Sequence, residues 1–244
     1  MIRSALLNAF IVIHTIVLCV WGLLLSLFDR SGKLVHTHCA VPWAKTILFV
    51  CGIKVTVTGL QKLDRQVPRI YLSNHQSAFD IFALLAFLPV HFKFVLKQEL
   101  MRIPLFGATM RGAGYIGIAR DDARSALKSM QQAADKLRGG ASVVIFPEGT
   151  RSVDGRIQAF MPGAFHLAIK SGCDIVPITI DGTRRIMPKG RFRINKSACT
   201  MRIGGPIPVR GYSKKEMGRL MGDVREKMIR QLPSAGQALG ALGS

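Results

Sequence analysis

The hydrophobic pattern divides the chain into an apolar N-terminal region and a longer region of short, alternating segments. Residues 5–28 contain no charged side chain. As a helix they would be about 36 Å long, which is enough to cross the hydrocarbon core of a bilayer. A second apolar stretch, 39–53, is shorter and contains Pro42 and Lys45, which favours a half-inserted or interfacial helix. The pattern predicts a membrane anchor over 1–52, formed either by one spanning helix or by a hairpin in one leaflet.

Short segments of β-like character alternate with helical ones after the anchor. Runs rich in β-branched and aromatic residues predict strands at 54–58, 69–73, 91–96, 114–118, 142–146, 175–180 and 199–203. Helices are predicted at 79–88, 122–138, 163–171 and 213–231. This alternation predicts an α/β domain over 53–232, a layered mixed sheet flanked by helices. The tail from 233 to 244, rich in Gly, Ala and Ser, is expected to be flexible.

Positive charge is the main feature of the composition. The formal net charge is +20, from 34 Lys and Arg against 14 Asp and Glu, and the segment 184–202 holds cations without one acid. Such an excess favours anionic partners, although a solvated basic face is an alternative. The segment has one aromatic residue, Phe192, and no nucleic-acid-binding motif. Because it accompanies an apolar anchor, we expect a phospholipid bilayer as partner and no nucleic acid.

Two polar blocks directly follow predicted strands, where α/β folds collect their functional sites. Asn-His-Gln-Ser-Ala-Phe-Asp occupies 74–80, and Phe-Pro-Glu-Gly-Thr-Arg-Ser occupies 146–152. In the first block His75 suits a general base, and Asp80 suits the partner that orients its other ring nitrogen. The alternative is structural, because Ser77 and Asp80 also have the spacing of a capping box at the start of a helix.

The second block supplies groups suited to an anionic substrate. Arg151 offers a rigid fork that fits phosphate oxygens, and Gly149 lets backbone amides approach an anion. Glu148 is placed to orient a hydroxyl or to hold that arginine. Arg120 and Lys97, each at the end of another predicted strand, are further candidate phosphate ligands. The two blocks together indicate an acyl-transfer site for a phosphorylated alcohol.

At these residues the chain resembles the membrane-bound glycerolipid acyltransferases, most closely the bacterial 1-acyl-sn-glycerol-3-phosphate acyltransferases. The first block matches the family's Asn-His-x4-Asp pattern, and the second matches its glutamate-glycine-threonine-arginine pattern. FKFVLKQELMRIPLFG and the following GYIGIAR match the intervening segment, and Val176-Pro177-Ile178 matches the fourth block. The similarity covers 50–205 and its four blocks occur in the family's order.

The resemblance implies a glycerol-phosphate-acyltransferase-like fold with His75 and Asp80 as catalytic dyad. It assigns the acceptor to Arg120, Glu148, Gly149, Thr150 and Arg151, whereas Lys97 is a substrate-binding candidate from its place in the sequence and not from the resemblance. It also implies lysophosphatidate as acceptor, acyl-CoA or acyl-carrier protein as donor, direct transfer without an acyl-enzyme, and no metal or other cofactor. The corresponding location is the inner (cytoplasmic) membrane, with the catalytic domain facing the cytoplasm.

Two alternatives stay open at the level of sequence. The middle block has Gly117 and Ala119 where the family usually has Phe and Asp, and Met161-Pro162 replaces a common basic pair. Either departure would fit a different acceptor, such as glycerol 3-phosphate or another lyso-lipid. A protein of another class, a non-catalytic basic membrane-binding protein, would not require a His-Asp pair.

Overall fold

A seven-stranded mixed sheet forms the centre of the protein. A computed structural model describes residues 2–119 and 123–232. Its strands are β1 (Lys54–Thr58), β2 (Ile70–Ser73), β3 (Phe92–Lys97), β4 (Ile116–Ile118), β5 (Ser142–Ile145), β6 (Ile175–Asp181) and β7 (Ala198–Ile203). They lie in the order β1-β7-β6-β2-β5-β3-β4, and β6 and β7 are antiparallel whereas the other neighbouring pairs are parallel. The predicted α/β fold class is confirmed, and each predicted strand occurs within about two residues of its predicted bounds.

Helices cover the sheet. In the described part of the chain they are α1 (Ile2–Phe28), α2 (Lys33–Val35), α3 (Val41–Cys51), α4 (Phe79–Phe87), α5 (Phe106–Gly112), α6 (Ala123–Arg138), α7 (Gly163–Ser171), α8 (Thr183–Ile186) and α9 (Met217–Arg230). A π-helical turn, His36–Ala40, joins α2 to α3. The four helices predicted for the domain correspond to α4, α6, α7 and α9. Helices α5 and α8 were not predicted, because seven and four residues are too few for a helical period to be recognised.

Four adjacent strands bring distant parts of the chain to one edge of the sheet. Strands β6, β2, β5 and β3 are parallel neighbours in that order. Their carboxyl ends therefore lie side by side, and they lead into Thr183, the 74–80 block, the 146–152 block and Lys97 respectively. Strands β2 and β5 are buried along their whole length, as expected for parallel strands covered on both faces. The central strands thus hold the candidate site rigidly.

The N-terminal helices are apolar, and they also pack against the α/β domain. The segments Ile2–Phe28 and Lys33–Cys51 are each long and apolar enough to cross a membrane. Helix α3 contributes Ala44 and Ile47, both fully buried, to the core that also contains Phe79 of α4. The sequence-based division of the chain at residue 52 stays a prediction, and the shared core gives α3 a structural role in addition to anchoring. The predicted tail 233–244 lies outside the described residues.

Candidate active site

The first polar block forms a loop between β2 and α4 in which His75 contacts Asp80. The distance from His75 Nδ1 to Asp80 Oδ2 is 2.8 Å. Asp80 is fully buried, and the His75 side chain is 15% exposed. The imidazole stacks on Phe146 of the second block, with ring centroids 4.0 Å apart. With Nδ1 engaged by the carboxylate, Nε2 is the nitrogen that His75 can offer to a substrate.

Asp80 also organises the loop that carries the histidine. Its Oδ2 accepts the backbone N–H groups of Gln76 at 2.6 Å and Ser77 at 2.8 Å. The Ser77 hydroxyl accepts the N–H of Phe79 at 3.3 Å. The catalytic and the structural interpretations of Asp80 are therefore compatible, because one carboxylate contacts the imidazole and also accepts two N–H groups of the loop that leads into α4.

The second oxygen of Asp80 meets a residue far away in the sequence. Oδ1 accepts a hydrogen bond from the hydroxyl of Thr183, which follows β6. A second link runs from the Ser77 hydroxyl to the carbonyl of Met187 at 2.7 Å. Asn74 pairs with the same strand, since its amide donates to the Ile180 carbonyl at 2.9 Å and accepts the Ile180 N–H at 2.7 Å. The loop is thus fixed to β6 and to the segment that follows it.

Glu148 supports the first block from the neighbouring strand. Its Oε1 accepts the backbone N–H of His75 at 2.8 Å, and its Oε2 accepts the N–H of Gln158 at 2.9 Å. Burial raises the pKa of the Glu148 carboxyl to about 7, while these two N–H groups act in the opposite direction. Glu148 does not line the cavity described below. Direct substrate contact by Glu148 stays an untested prediction, and the geometry favours a positioning role.

The rest of the second block forms a turn in the wall of a cavity. Gly149 has φ +72°, in the left-handed region that favours glycine. Thr150 and Arg151 follow it and line the cavity. The Thr150 hydroxyl accepts a hydrogen bond from Lys189 Nζ at 2.9 Å. Lys189 belongs to the basic segment after β6, and it adds a cation that the two blocks alone do not contain.

The cavity joins this polar end to an apolar interior. Its volume is about 790 Å³, within the range of ligand sites in proteins. His75, Lys97, Thr150, Arg151 and Lys189 line it, and Lys97 also pairs with Glu99 at 2.9 Å. The remaining lining comes mainly from apolar side chains of α1, α3, α4, β3 and α5, including Leu18, Trp43, Phe82, Phe94 and Met110. The arrangement suits a substrate with an anionic head and a long apolar chain.

The structure brings together most of the residues predicted for the site. His75, Lys97, Gly149, Thr150 and Arg151 share the cavity, and Asp80 and Glu148 lie directly behind it. Arg120 lies outside the described residues. Within residues 2–119 and 123–232 no group of three or more His, Cys, Asp and Glu side chains could hold a metal ion. The roles assigned to these residues, and a reaction without metal or cofactor, stay predictions.

Three residues of the site escaped the sequence analysis. Asn74 was given no role beyond being the first residue of the 74–80 block, Lys189 was not singled out from the basic segment 184–202, and Thr183 was not considered. The four-residue helix that begins at Thr183 and the strand order that places β6 beside β2 have no local sequence signal. One cue was available, because Thr183 lies three residues after the predicted strand 175–180, where sites of α/β folds gather.

Comparison with known proteins shows the family to which the chain is similar. The family model described as "Acyltransferase" matches residues 54–181, which include both polar blocks. The chain is 39% identical over 240 residues to a 1-acyl-sn-glycerol-3-phosphate acyltransferase of Chlamydomonas reinhardtii, covering 91% of this chain and 70% of that protein. It is 41% identical over 165 residues to the chloroplastic 1-acyl-sn-glycerol-3-phosphate acyltransferase LPAT1 of Arabidopsis thaliana, covering 67% of this chain. That match spans about half, 46%, of the Arabidopsis protein.

A solved structure extends the similarity to the N-terminal helices. The crystal structure of the 1-acyl-sn-glycerophosphate (LPA) acyltransferase PlsC from Thermotoga maritima superimposes with a TM-score of 0.79 and 27% sequence identity. The alignment covers 94% of each chain. The family model covers more than half of the sequence, and a relative above 30% identity is matched over more than two thirds of its length. The chain therefore belongs to the acyltransferase family.

Proposed function

We propose that this protein transfers a fatty acyl group from a thioester donor to the sn-2 hydroxyl of 1-acyl-sn-glycerol 3-phosphate, giving phosphatidate for phospholipid biosynthesis. The observation that carries the proposal is one cavity with a His-Asp pair, several cations and an apolar interior. The names of the relatives agree with this acceptor. We further propose that the chain is a bacterial member, and the Thermotoga match over 94% of both chains supports that assignment.

His75 is the proposed general base. Its Nε2 takes the proton of the sn-2 hydroxyl as the hydroxyl oxygen attacks the thioester carbonyl. Asp80 fixes the tautomer through Nδ1 and stabilises the imidazolium that forms. When the tetrahedral intermediate collapses, the carbon–sulfur bond breaks and the departing thiolate takes the proton from His75. The proposed reaction requires no acyl-enzyme, metal or other cofactor, because these transfers account for every bond that forms or breaks.

The acceptor phosphate is proposed to bind at the polar end of the cavity. Arg151, Lys189 and Lys97 all line this region, and Thr150 offers a hydroxyl there. Arg151 is the only one of these with a planar fork that matches two phosphate oxygens at once. Lys189 is already directed toward this turn by its bond to Thr150. Arg120 is kept as a further candidate, on its place after a predicted strand and on the family resemblance.

Replacing Arg151 by lysine tests the phosphate contact. The charge is kept but the bidentate fork is lost, so we expect KM for lysophosphatidate to rise about 10-fold or more, while KM for the donor changes little. Arg156→Lys is a matched control, because Arg156 lies in the same loop, pairs with Asp154 and does not line the cavity. Steady-state kinetics with each substrate varied in turn provides the measurement. An unchanged acceptor KM in Arg151→Lys would exclude this residue as the phosphate ligand.

The apolar part of the cavity favours an acceptor that already carries an acyl chain. Leu18 of α1 and Trp43 of α3 line the cavity that His75 also lines, so the N-terminal helices provide an environment suited to lipid. Glycerol 3-phosphate lacks such a chain and is the weaker alternative. Another lyso-lipid with a phosphate would fit the same contacts. The acyl donor is proposed to be acyl-CoA or acyl-carrier protein.

A substrate panel with purified full-length protein tests the proposal. Lysophosphatidate should be acylated with the highest kcat/KM, glycerol 3-phosphate and lyso-lipids without a terminal phosphate should be poor acceptors, and one of the two donors should be clearly preferred. Efficient acylation of glycerol 3-phosphate would shift the function to the first acylation step. Membrane binding with no acyl transfer from either donor would support the non-catalytic alternative instead.

The N-terminal helices are proposed to insert into one leaflet of the inner membrane, with the domain facing the cytoplasm. Helix α1 contacts the domain along its length. Arg3 donates to the carbonyl of Ile194 at 3.2 Å, and the Asn8 amide donates to the carbonyl of Phe192 at 2.8 Å. In the second half of α1, the Cys19 carbonyl accepts a hydrogen bond from the Thr109 hydroxyl at 3.1 Å. A helix crossing the bilayer would draw these domain contacts into the hydrocarbon core, whereas a helix lying in one leaflet keeps them.

Acidic substitutions on the exposed face of α1 should release the protein from membranes. Ile13 and Val17 are 62% and 58% exposed, so Ile13→Glu/Val17→Glu removes apolar contact with lipid without disturbing the core. We expect the parent to stay on membranes washed with about 1 M salt, which screens charge but not apolar burial. Leu127→Glu is the control, since Leu127 is similarly exposed on α6. Parent protein that is removed from membranes by salt alone would contradict the apolar anchor.

A further inference from the structure

The carboxylate of Asp80 is held at both oxygens, and each oxygen has a different set of donors. Oδ2 faces His75 Nδ1 and the N–H groups of Gln76 and Ser77. Oδ1 accepts the hydroxyl of Thr183. Asp80 and Thr183 are both fully buried, so bulk water does not reach this bond. Among the described residues, Thr183 is the donor that the structure gives to Oδ1.

The backbone places Thr183 independently of this hydrogen bond. Gly182, which follows β6, has φ +98°, and a Cβ there would lie 2.6 Å from the carbonyl oxygen of Ala198. Only glycine fits this turn without strain, and the turn starts α8 beside the 74–80 loop. The bond from the Ser77 hydroxyl to the Met187 carbonyl, at 2.7 Å, holds the other end of α8 against the same loop. The turn at Gly182 and the Ser77–Met187 hydrogen bond therefore hold Thr183 next to Asp80.

We propose that Thr183 is a positioning residue for the His75–Asp80 pair, an inference that rests on the acyl-transfer function proposed above. Thr183 does not line the cavity, so it has no direct contact with substrate there. It acts on Asp80 alone, and Asp80 acts on His75. The segment after β6 thereby becomes part of the catalytic apparatus although it contains none of the reacting groups.

Asp80 needs a donor on Oδ1 because an aspartate carboxylate rotates easily about its Cβ–Cγ bond. The energy of this torsion changes little over a wide range of angles, so the orientation of the carboxylate is set by its hydrogen-bond partners and not by its own conformational preference. The donors on Oδ2 include His75 itself, whose position depends on that aim. Thr183 fixes Oδ1 from the opposite side and thereby keeps Oδ2 toward the imidazole. Without the hydroxyl, Oδ1 would be a buried charged acceptor with no donor, and the carboxylate would turn to find one.

The test compares variants that keep or remove the hydroxyl at nearly constant size. Thr183→Val removes the hydroxyl and keeps the branched shape, whereas Thr183→Ser keeps the hydroxyl. We expect kcat of Thr183→Val to fall about 10- to 100-fold with both KM values within about 2-fold of the parent, because a buried acceptor is left without its donor. Thr183→Ser should recover kcat to within about 3-fold of the parent.

Thr179→Val provides a matched control on β6, four residues before Thr183. Thr179 is also fully buried, and its hydroxyl contacts the Gln231 side chain at 2.8 Å and the Met228 carbonyl at 3.3 Å, away from Asp80. It therefore reports the cost of losing a buried threonine hydroxyl without touching the pair. Its kcat per folded molecule, with the folded fraction taken from thermal unfolding, should equal that of the parent.

A double substitution keeps the inference testable if Thr183→Val is poorly folded. In an Asp80→Asn background the charged acceptor is gone, so adding Thr183→Ser or Thr183→Val should change kcat less than 2-fold relative to Asp80→Asn alone. The inference is overturned if Thr183→Val retains parental kcat, if Thr183→Ser is as impaired as Thr183→Val, or if Thr179→Val is equally impaired. An inactive parent in the same assay would instead refute the proposed function, so the two failures are distinguishable.

Discussion

Replacing His75 by alanine is expected to lower kcat about 10²- to 10⁴-fold, the loss typical of a missing general base. The protein should stay folded, because Asp80 keeps its hydrogen bonds from Gln76, Ser77 and Thr183 when the imidazole is removed. The main structural loss is the stacking of the ring on Phe146. Acyl transfer from a thioester to lysophosphatidate, measured together with thermal unfolding, separates the chemical effect from the structural one.

His166→Ala is the matched control for this variant. His166 is exposed on α7 and does not line the cavity, so its loss should leave kcat at the parental value. Membrane binding of His75→Ala should also equal that of the parent. Parental activity in His75→Ala would remove the histidine from the mechanism and leave the His-Asp contact as a structural feature only.

Replacing Asp80 by asparagine is expected to reduce both catalysis and stability. The amide removes the charge that stabilises the imidazolium, so kcat should fall about 10²- to 10⁴-fold. The same change weakens the bonds to the N–H groups of Gln76 and Ser77, and we expect it to cost about 1–3 kcal/mol in the free energy of unfolding. Steady-state kinetics and denaturant unfolding on the same preparations give the two values.

The relation between the two losses distinguishes the roles of Asp80. A stability loss without a loss of kcat would make Asp80 a helix cap alone. Asp223→Asn is the control, because Asp223 accepts the Tyr212 hydroxyl at 2.6 Å and has no contact with His75. That variant should retain parental kcat. A similar fall of kcat in both variants would indicate a general effect of removing a carboxylate.

The sequence was sufficient to predict the strands and the two polar blocks because both have local signals. Parallel strands buried on both faces produce short continuous apolar runs, and the blocks follow two of those runs immediately. The block at 74–80 also contains both members of the pair, so its internal spacing was informative. Contact between His75 and Asp80 then required only a loop-to-helix turn.

Residues that depend on strand order could not be predicted in the same way. Thr183 and Asp80 are 103 positions apart, and they meet because β6 lies beside β2 in the sheet. Lys189 reaches Thr150 across 39 positions for a related reason. For Glu148 the sequence suggested a hydroxyl or Arg151 as partner, and it had no signal for the backbone N–H groups of His75 and Gln158 that the carboxyl accepts. Such contacts follow from topology, which no single block of residues encodes.

The N-terminal region illustrates the same limit. Its apolar composition indicated an anchor, and the sequence divided it from the domain at residue 52. In the structure Ala44 and Ile47 lie in the core of the domain, and Trp43 lines the cavity. Composition cannot distinguish an apolar face that meets lipid from one that meets protein. We therefore expect removal of 1–52 to impair folding and activity on every acceptor, because it opens both the core and the cavity.

The proposed function requires that the protein transfers an acyl group from a thioester to lysophosphatidate in this cavity. The most direct measurement is the ratio of phosphatidate formed to free thiol released by the purified full-length protein in mixed detergent micelles. The proposed mechanism predicts a ratio of about one, with no thiol released when lysophosphatidate is omitted, since the hydroxyl is the attacking group. Thiol release without phosphatidate would identify a thioester hydrolase and rule out the proposed transfer, as would the absence of both products.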